Sequence, residues 1–356
     1  MNTLTQADSF DFTGYRMPAE WEPHAATWLA WPANLETWPE HLEQARNVYL
    51  QMISALSHHE KVYVLLQDCE ANDSLEEKLQ EHGCLRRNVQ LCHIPYNDSW
   101  LRDSGPIFIT NPNHPTQPLV AHDFIFNAWG KKYEPYSDDD AIPQHATRLL
   151  QLPLIQHDFV LEGGSIDVNG RGSVLTTKQC LLNKNRNPHL SQAQIENNLK
   201  RFLGVTNVLW LDEGIEGDDT DGHVDDITRF VNANTIFTVV ENNHSDPNFL
   251  PLDNNARKLR DMRDQDGNPF TIIELPMPDK WVEGPFGRSP ASYANFLIAN
   301  DIVLVPVYSA PNEAHVLSLF NDAFPDRKII PIECSALVAG LGSIHCVTQQ
   351  QPLIPS

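Results

Sequence analysis

The sequence predicts a mixed α/β fold, and three observations carry that prediction. Apolar residues recur at helical spacing in some stretches and gather into short β-branched runs in others. The two kinds alternate over the whole length, as in α/β and α+β architectures, rather than segregating into blocks. Proline-rich stretches at 111–118 and 276–290 read as loops, and neither is long or distinctive enough to be a domain linker, so residues 1–356 are expected to form one domain.

Taken in order, Leu42 to Leu56 has the apolar spacing of a helix, and KVYVLLQ (61–67) reads as a buried strand. A helix is expected over 74–82, followed by a short strand at VQLCHIP (89–95). GPIFIT (105–110), GSVLTT (172–177), NVLWL (207–211), FTIIELP (270–276) and DIVLVPVY (301–308) are further strands. TRFVNANTIFTVV (228–240) reads as strand throughout. Helices are expected near Leu190–Leu203 and over Glu313–Phe324, where Pro325 stops the second. No repeat of fixed period is visible.

Composition narrows the function. With 47 acidic and 25 basic residues, the chain carries a formal charge of -22. Such a field repels nucleic acid and anionic membrane surfaces and attracts small cations. Six cysteines without any C-x-x-C pair read as free thiols in a reducing compartment. The first residues include Asp8 and Asp11 and lack the apolar core of a signal peptide, so a cytoplasmic protein is expected.

Four stretches concentrate chemistry. NDSWLRDSGPIFI (97–109) sets Trp100, Arg102 and Asp103 just before a strand, where scaffolds present functional groups. In FVLEGGSIDV (159–168), Glu162 interrupts an apolar run beside two glycines, so a buried carboxylate there needs a partner. In GDDTDGHVDDITRFV (217–231), an extended backbone would place His223 and Asp225 on one face, with Asp219, Asp221 and Asp226 nearby. GLGSIHCVTQQQ (340–351) presents Cys346 after two glycines and His345. Each stretch has a plain structural alternative: local turn bonds, a solvated acidic loop, or an inert buried thiol. Together, a thiol, an imidazole and an excess of carboxylates suit nucleophilic attack on a cation, and a planar guanidinium accepts carboxylates along several edges.

These stretches resemble the guanidine-modifying enzymes, most closely the agmatine deiminase family and the related bacterial peptidylarginine deiminases. The resemblance rests on MPAEWEPHAATWLAWP (17–32), WLRDSGP (100–106), LEGGSI (161–166), DTDGHVDD (219–226), SYANFLIAN (292–300) and GSIHCVTQQQP (342–352), in the family's order and over nearly the full length. It implies the pentein fold, a five-bladed α/β propeller with pseudo-fivefold symmetry. It implies hydrolysis of agmatine to N-carbamoylputrescine and ammonia, a step towards putrescine, without metal or organic cofactor. Cys346 is then the nucleophile, Asp103 and Asp225 clamp the guanidinium, and His223 is the acid and base, with Glu162 on its other ring nitrogen. Trp100 walls the guanidinium, Asp219 helps hold the distal amine, and His345 loses importance to His223. A homodimer is implied by the family alone. The family's three glycines and Asn before I-H-C are here Gly340-Leu341-Gly342-Ser343.

Three other readings stay open. A peptidylarginine or free-arginine deiminase would use the same residues. A metal-dependent hydrolase would draw on His24, His223, Asp225, His345 and Cys346, without a recognisable ligand spacing. A polyamine-binding protein without catalysis would need only the negative field.

Overall fold

The computed structural model describes residues 4–67 and 71–354, which leaves Cys69 outside. Five sheets of three or four strands, plus the small hairpin of Glu283–Gly284 and Gly287–Arg288, make up the β structure of the described residues. The five share one plan. In each, a first strand pairs antiparallel with a second, and the second pairs parallel with a third after a crossover helix.

The first unit runs Ile107–Thr110, Leu119–Ile125, helix Ile142–Leu150 and Leu154–Val160, with Leu4–Gln6 added at the edge. The second runs Asp167–Val168, Ser173–Thr177, helix Gln192–Leu203 and Asn207–Leu211. The third runs Thr228–Asn232, Thr235–Val240, helix Phe249–Asp261 and Thr271–Pro276. The fourth runs Leu297–Ala299, Ile302–Val307, helix Glu313–Ala323 and Lys328–Glu333. The fifth joins distant parts of the chain: Thr348–Pro352 pairs antiparallel with His24–Ala30, which continues through helix Leu42–Ser57 to Lys61–Leu66, and then to Val89–His93. Parallel strands require such crossovers, which explains the βα alternation seen in the sequence.

Local chemistry fixes the helix ends. Ser191 and Gln194 form a capping box that opens helix Gln192–Leu203, and Gly204 closes it in left-handed backbone at φ 66°. Buried Ile195, Leu199, Phe202 and Leu203 then face the second sheet's core.

Three expectations need correction. The stretch 228–240 is two antiparallel strands, because the chain turns at Ala233 and Asn234 without a glycine or proline to mark it. The helix expected over 74–82 is Ala71–Glu81. A repeat does exist, at the level of the five strand–strand–helix–strand units, although no sequence period reveals it. The largest apolar cluster holds Trp38, Met52, Phe237, Phe296 and Phe320, and it extends to Trp100 and Cys346. The thiol therefore sits at the edge of the main core. No helix of the described residues is long and apolar enough to cross a membrane.

Candidate active site

The segment leading into the first strand of each unit supplies the residues of one buried cluster. Helix Leu101–Ser104 carries Asp103, and the helical turn Gly163–Ser165 follows Glu162. The helical turn Val224–Asp226 carries Asp225 with His223 at its N-terminal end, Asn295 precedes Leu297, and Cys346 precedes Thr348. His223 and Asp225 are thus brought together by a tight turn and not by the extended backbone the sequence suggested.

Asp103 is fixed by two donors: the Gly164 amide to Oδ1 at 2.9 Å and Trp129 Nε1 to Oδ2 at 2.9 Å. Nδ1 of His223 lies 3.7 Å from Asp103 Oδ2 and 4.0 Å from Asp225 Oδ1. Gly164 keeps the space between them open. A Cβ there would stand 2.6 Å from His223 Nδ1, 2.9 Å from Asp103 Oδ1 and 3.0 Å from Asp225 Oδ2. Glu162 Oε1 accepts from Arg186 Nε at 2.5 Å, while Glu162, Cys180 and a ring nitrogen of His223 gather within 4.8 Å. Oε2 of Glu162, Oδ1 of Asp225 and both nitrogens of His223 are buried with no hydrogen-bond partner among the described residues. Such groups in a native interior call for a ligand or a mechanistic role.

Behind this cluster lies a buried ion network. His345 Nδ1 bonds Asp225 Oδ2 at 2.6 Å, and its Nε2 bonds Glu20 Oε2 at 2.8 Å. Glu20 also faces Arg229 Nη2 at 2.9 Å and Arg102 Nη2 at 3.5 Å. Sequence reasoning set His345 aside and missed Glu20, Arg186, Arg229 and Asn295. Asn295 lies inside the SYANFLIAN stretch, Glu20 inside MPAEWEPH and Arg229 inside GDDTDGHVDDITRFV, whereas Arg186 lies in none of the quoted stretches.

The electrostatics follow from these neighbours. Burial opposes the His223 imidazolium, but Asp103, the Cys180 sulfur and Glu162 hold its pKa well above the ordinary histidine value. Burial pushes the Cys346 thiol well up, and the carboxylates of Asp225, Asp226 and Asp103 push it further. Burial would raise Asp225 as well, yet the bond from His345 keeps it below the usual carboxylate value. Asp226 has no such donor of charge; burial and then Asp225 drive it well above.

Cys346, Asp103 and Trp100 open onto a cavity of about 570 Å³. Asp98, Asp139 and Asp219 lie on its wall, where burial pushes Asp98 up to about 6 and Asp139 up to about 7, and Tyr133, Tyr136 and Phe286 also line it. Asp219 lines the cavity, but Tyr133 Oη donates to one of its oxygens and Lys132 Nζ lies 3.3 Å from the other. An amine bound there has to compete with both. The Trp100 ring packs so tightly on Gly342 that a Cβ at 342 would collide with it. Leu341, also on the cavity wall, adopts left-handed backbone at φ 76°, a cost of roughly 1–2 kcal/mol for a residue with a Cβ. Ser343 accepts from Tyr308 Oη at 3.3 Å.

A metal site built on His24 is not formed. One of its nitrogens faces the Glu20 carbonyl at 2.7 Å and the other Glu60 Oε1 at 3.3 Å. Metal-competent triads in the described residues are instead Glu162–Cys180–His223 and Asp225–Asp226–Cys346.

A buried thiol, paired carboxylates and an imidazole are gathered here, a set whose charges could receive a cationic, planar group. The chain belongs to the Porphyromonas-type peptidyl-arginine deiminase family, which it matches over residues 16–352. It is 35% identical to the agmatine deiminase of Medicago truncatula, over 96% of this chain and 98% of that one. Among solved structures it is similar to the agmatine deiminase of Enterococcus faecalis, at TM-score 0.89 and 32% identity, covering 96% of this chain and 97% of the other. A cysteine-to-serine variant of the C. jejuni agmatine deiminase with substrate bound matches at TM-score 0.85 and 32% identity, over 96% and 98% of the two chains. The fold is the mixed α/β fold of these enzymes.

Proposed function

We propose that the protein is an agmatine deiminase, hydrolysing agmatine to N-carbamoylputrescine and ammonia with Cys346 as nucleophile. The observation that carries this reading is a buried cluster in which Asp103, His223 and Asp225 meet beside Gly164 and the Cys346 sulfur lies 3.8 Å from Asp225, with Cys346 and Asp103 on the cavity wall. Asp103 and Asp225 bind the guanidinium and align its carbon with the sulfur, which removes much of the orientational cost of attack. Trp100 packs against its face.

The Cys346 thiolate adds to the guanidinium carbon and gives a neutral tetrahedral species. Protonated His223 donates to a departing amino group, ammonia leaves, and an amidino-cysteine remains. Neutral His223 then takes a proton from the water that attacks the same carbon. Collapse expels the thiolate and forms the ureido product, and the hydroxyl proton leaves with ammonia as ammonium. Glu162, held by Arg186, lies within 4.8 Å of a ring nitrogen of His223 and favours the charged imidazole through its field.

The raised thiol pKa favours substrate-assisted ionisation: the bound cation offsets Asp103 and Asp225, so the thiolate forms where substrate is present. Agmatine is favoured over arginine and arginine peptides because the cavity wall is acidic and aromatic, which suits a second cation and not a carboxylate. Residues 1–356 act as one catalytic domain, with the five units as the blades of a five-bladed propeller, each sending a segment to the centre. A cytoplasmic homodimer acting on a free small molecule, and not on nucleic acid or membrane, fits the family and the charge of -22.

The test is intact mass spectrometry of enzyme quenched during turnover. An adduct of amidine mass on Cys346 is expected, absent from Cys346→Ala, together with faster turnover of agmatine than of arginine or an arginine peptide. Ammonia release by Cys346→Ala would refute the mechanism, and a preferred arginine substrate would refute the assignment.

A further inference from the structure

The cavity is larger than agmatine requires. Its volume of about 570 Å³ falls in the range of pockets that enclose drug-sized ligands, whereas agmatine is a guanidinium and an ammonium on a short alkyl chain. Burial changes along the lining. Cys346, Asp103, Trp100 and Trp129 are buried at the inner end, while Leu35, Phe286 and Tyr133 are 68%, 56% and 48% exposed and mark the mouth. These are three of the eight large apolar side chains exposed among the described residues, so apolar exposure concentrates where the site opens. We infer that the site accepts guanidines larger than agmatine, in which the far amine carries an apolar or aromatic substituent, and that Leu35, Tyr133 and Phe286 form the subsite for that group. The inference rests on the deiminase reading and names a wider substrate class for the same site.

The residues of the mouth are held in place. Phe286 stands in the turn of the hairpin that pairs Glu283–Gly284 with Gly287–Arg288. At the base of this hairpin, Arg288 Nη1 donates to both Asp246 oxygens, at 2.9 and 3.0 Å, and Trp281 Nε1 donates to Asp246 Oδ2 at 3.0 Å. The Arg288 guanidinium also lies over the Trp281 ring, 4.3 Å from its centre. Tyr133 is fixed by its hydroxyl on Asp219, and its ring meets that of Trp129 edge-on, 5.8 Å between centres. Trp129 in turn donates to Asp103, so an aromatic wall runs from the proposed guanidinium clamp to the mouth. Side chains that are already ordered lose little freedom when a ligand covers them.

Charge alone does not account for this outer end. Asp219 already has Tyr133 and Lys132 on its oxygens. Apolar area is what the mouth adds, and covering it is favourable in proportion to its extent. Exposed Glu36 and Glu134 line the same cavity, so an occupant that keeps its positive charge fits better than a neutral amide. A secondary amine meets both demands: it remains a cation, and its substituent reaches Leu35, Tyr133 and Phe286. The reaction at Cys346 is unchanged. Water is consumed, one guanidinium nitrogen leaves as ammonium, and the far substituent stays on the ureido product.

The experiment compares agmatine with agmatine benzylated on its far amine, which has the same guanidinium, chain and charge and one added ring. Ammonia release is followed for wild type, Leu35→Ser and Phe286→Ser, with light scattering and thermal melting of each protein. Wild type is expected to turn over the benzylated substrate with a KM about 10-fold below that for agmatine. Each substitution is expected to shrink that advantage by about 3-fold or more, at an unchanged melting temperature because both positions are exposed.

Refusal of the benzylated substrate, or a KM no lower than that for agmatine, would overturn the inference. So would an equal loss for both substrates in the two variants. Loss of a dimer in the variants with the substrate ratio unchanged would assign the mouth to a second copy of the chain, and would overturn it as well. Failure of wild type to release ammonia from either substrate would defeat the deiminase reading itself, whereas turnover of agmatine alone would defeat only the wider substrate class.

Discussion

Four of the buried histidines stand in two pairs with contrasting surroundings. His223 and His345 lie among carboxylates at the site. His122 and His157 lie in the first sheet, packed by Phe124 and Phe202. His122 Nε2 donates to the Phe202 carbonyl at 3.0 Å, so its Nδ1 must accept from His157 Nε2, 2.7 Å away. Burial alone drives His122 down to about 3, and burial with repulsion from His122 and Arg201 drives His157 to about 2. His122 and His223 are both 0% exposed. Burial is thus held constant, and the neighbouring charges decide which imidazole carries a proton at neutral pH.

The sharpest way to break this contrast is to remove one ring from each pair. His223→Phe is expected to lower kcat/KM by roughly 10²- to 10⁴-fold, the range for loss of a positioned acid or base. His122→Phe should leave agmatine turnover within a few-fold and lower the melting temperature, because the Phe202 carbonyl and His157 lose a buried partner. Equal losses of turnover in both would show that the catalytic assignment of His223 is wrong.

A smaller effect is expected at His345. His345→Ala removes the donor that keeps Asp225 ionised, so the Asp225 pKa should rise and the acidic limb of kcat/KM against pH should move upward. A loss of about 10-fold near neutral pH is expected, partly restored in His345→Asn, which keeps a donor near Asp225. An unchanged acidic limb would confine His345 to packing.

The smallest effect concerns stability. In the fold, His122 and His157 bind fewer protons than in the unfolded chain between about pH 6.5 and their native values near 3 and 2. Stability is therefore fully present above that window and falls as pH drops through it. His157→Phe removes one such group, so the acid-side slope of unfolding free energy should flatten by about 1.4 kcal/mol per pH unit. Denaturant titrations from pH 6.5 to 4 measure it, and a slope equal to wild type would count against burial as the cause.

Much of this was legible in the sequence, for identifiable reasons. Strands such as Lys61–Leu66 and Ile302–Val307 are buried along nearly their full length, and their apolar runs say so. Thr348–Pro352 escaped that reading because three of its five residues are glutamines. They are held as strand by long-range partners: Arg102 Nη1 donates to Gln349 and Gln350, and Trp28 Nε1 to Gln351. At the site, Asp103, His223, Asp225 and Cys346 stood out because each is an unusual residue beside a glycine or an apolar strand. Glu20 and Arg229 did not, since a buried ion pair is defined by a partner far along the chain. His345 was undervalued for the same reason: its neighbours in sequence are silent about Glu20 and Asp225.

The bond between Glu20 and His345 spans 325 positions of the chain. Closing a loop of that length has a large entropic cost that local contacts do not offset early, so such contacts form late in folding. The fifth sheet, which joins Thr348–Pro352 to His24–Ala30, imposes the same delay on the segment that bears Cys346. In the proposed reading, reactivity of that thiol is consequently a property of the finished molecule. It would report completion of the entire topology, and a partly folded chain would retain the cysteine without its neighbours.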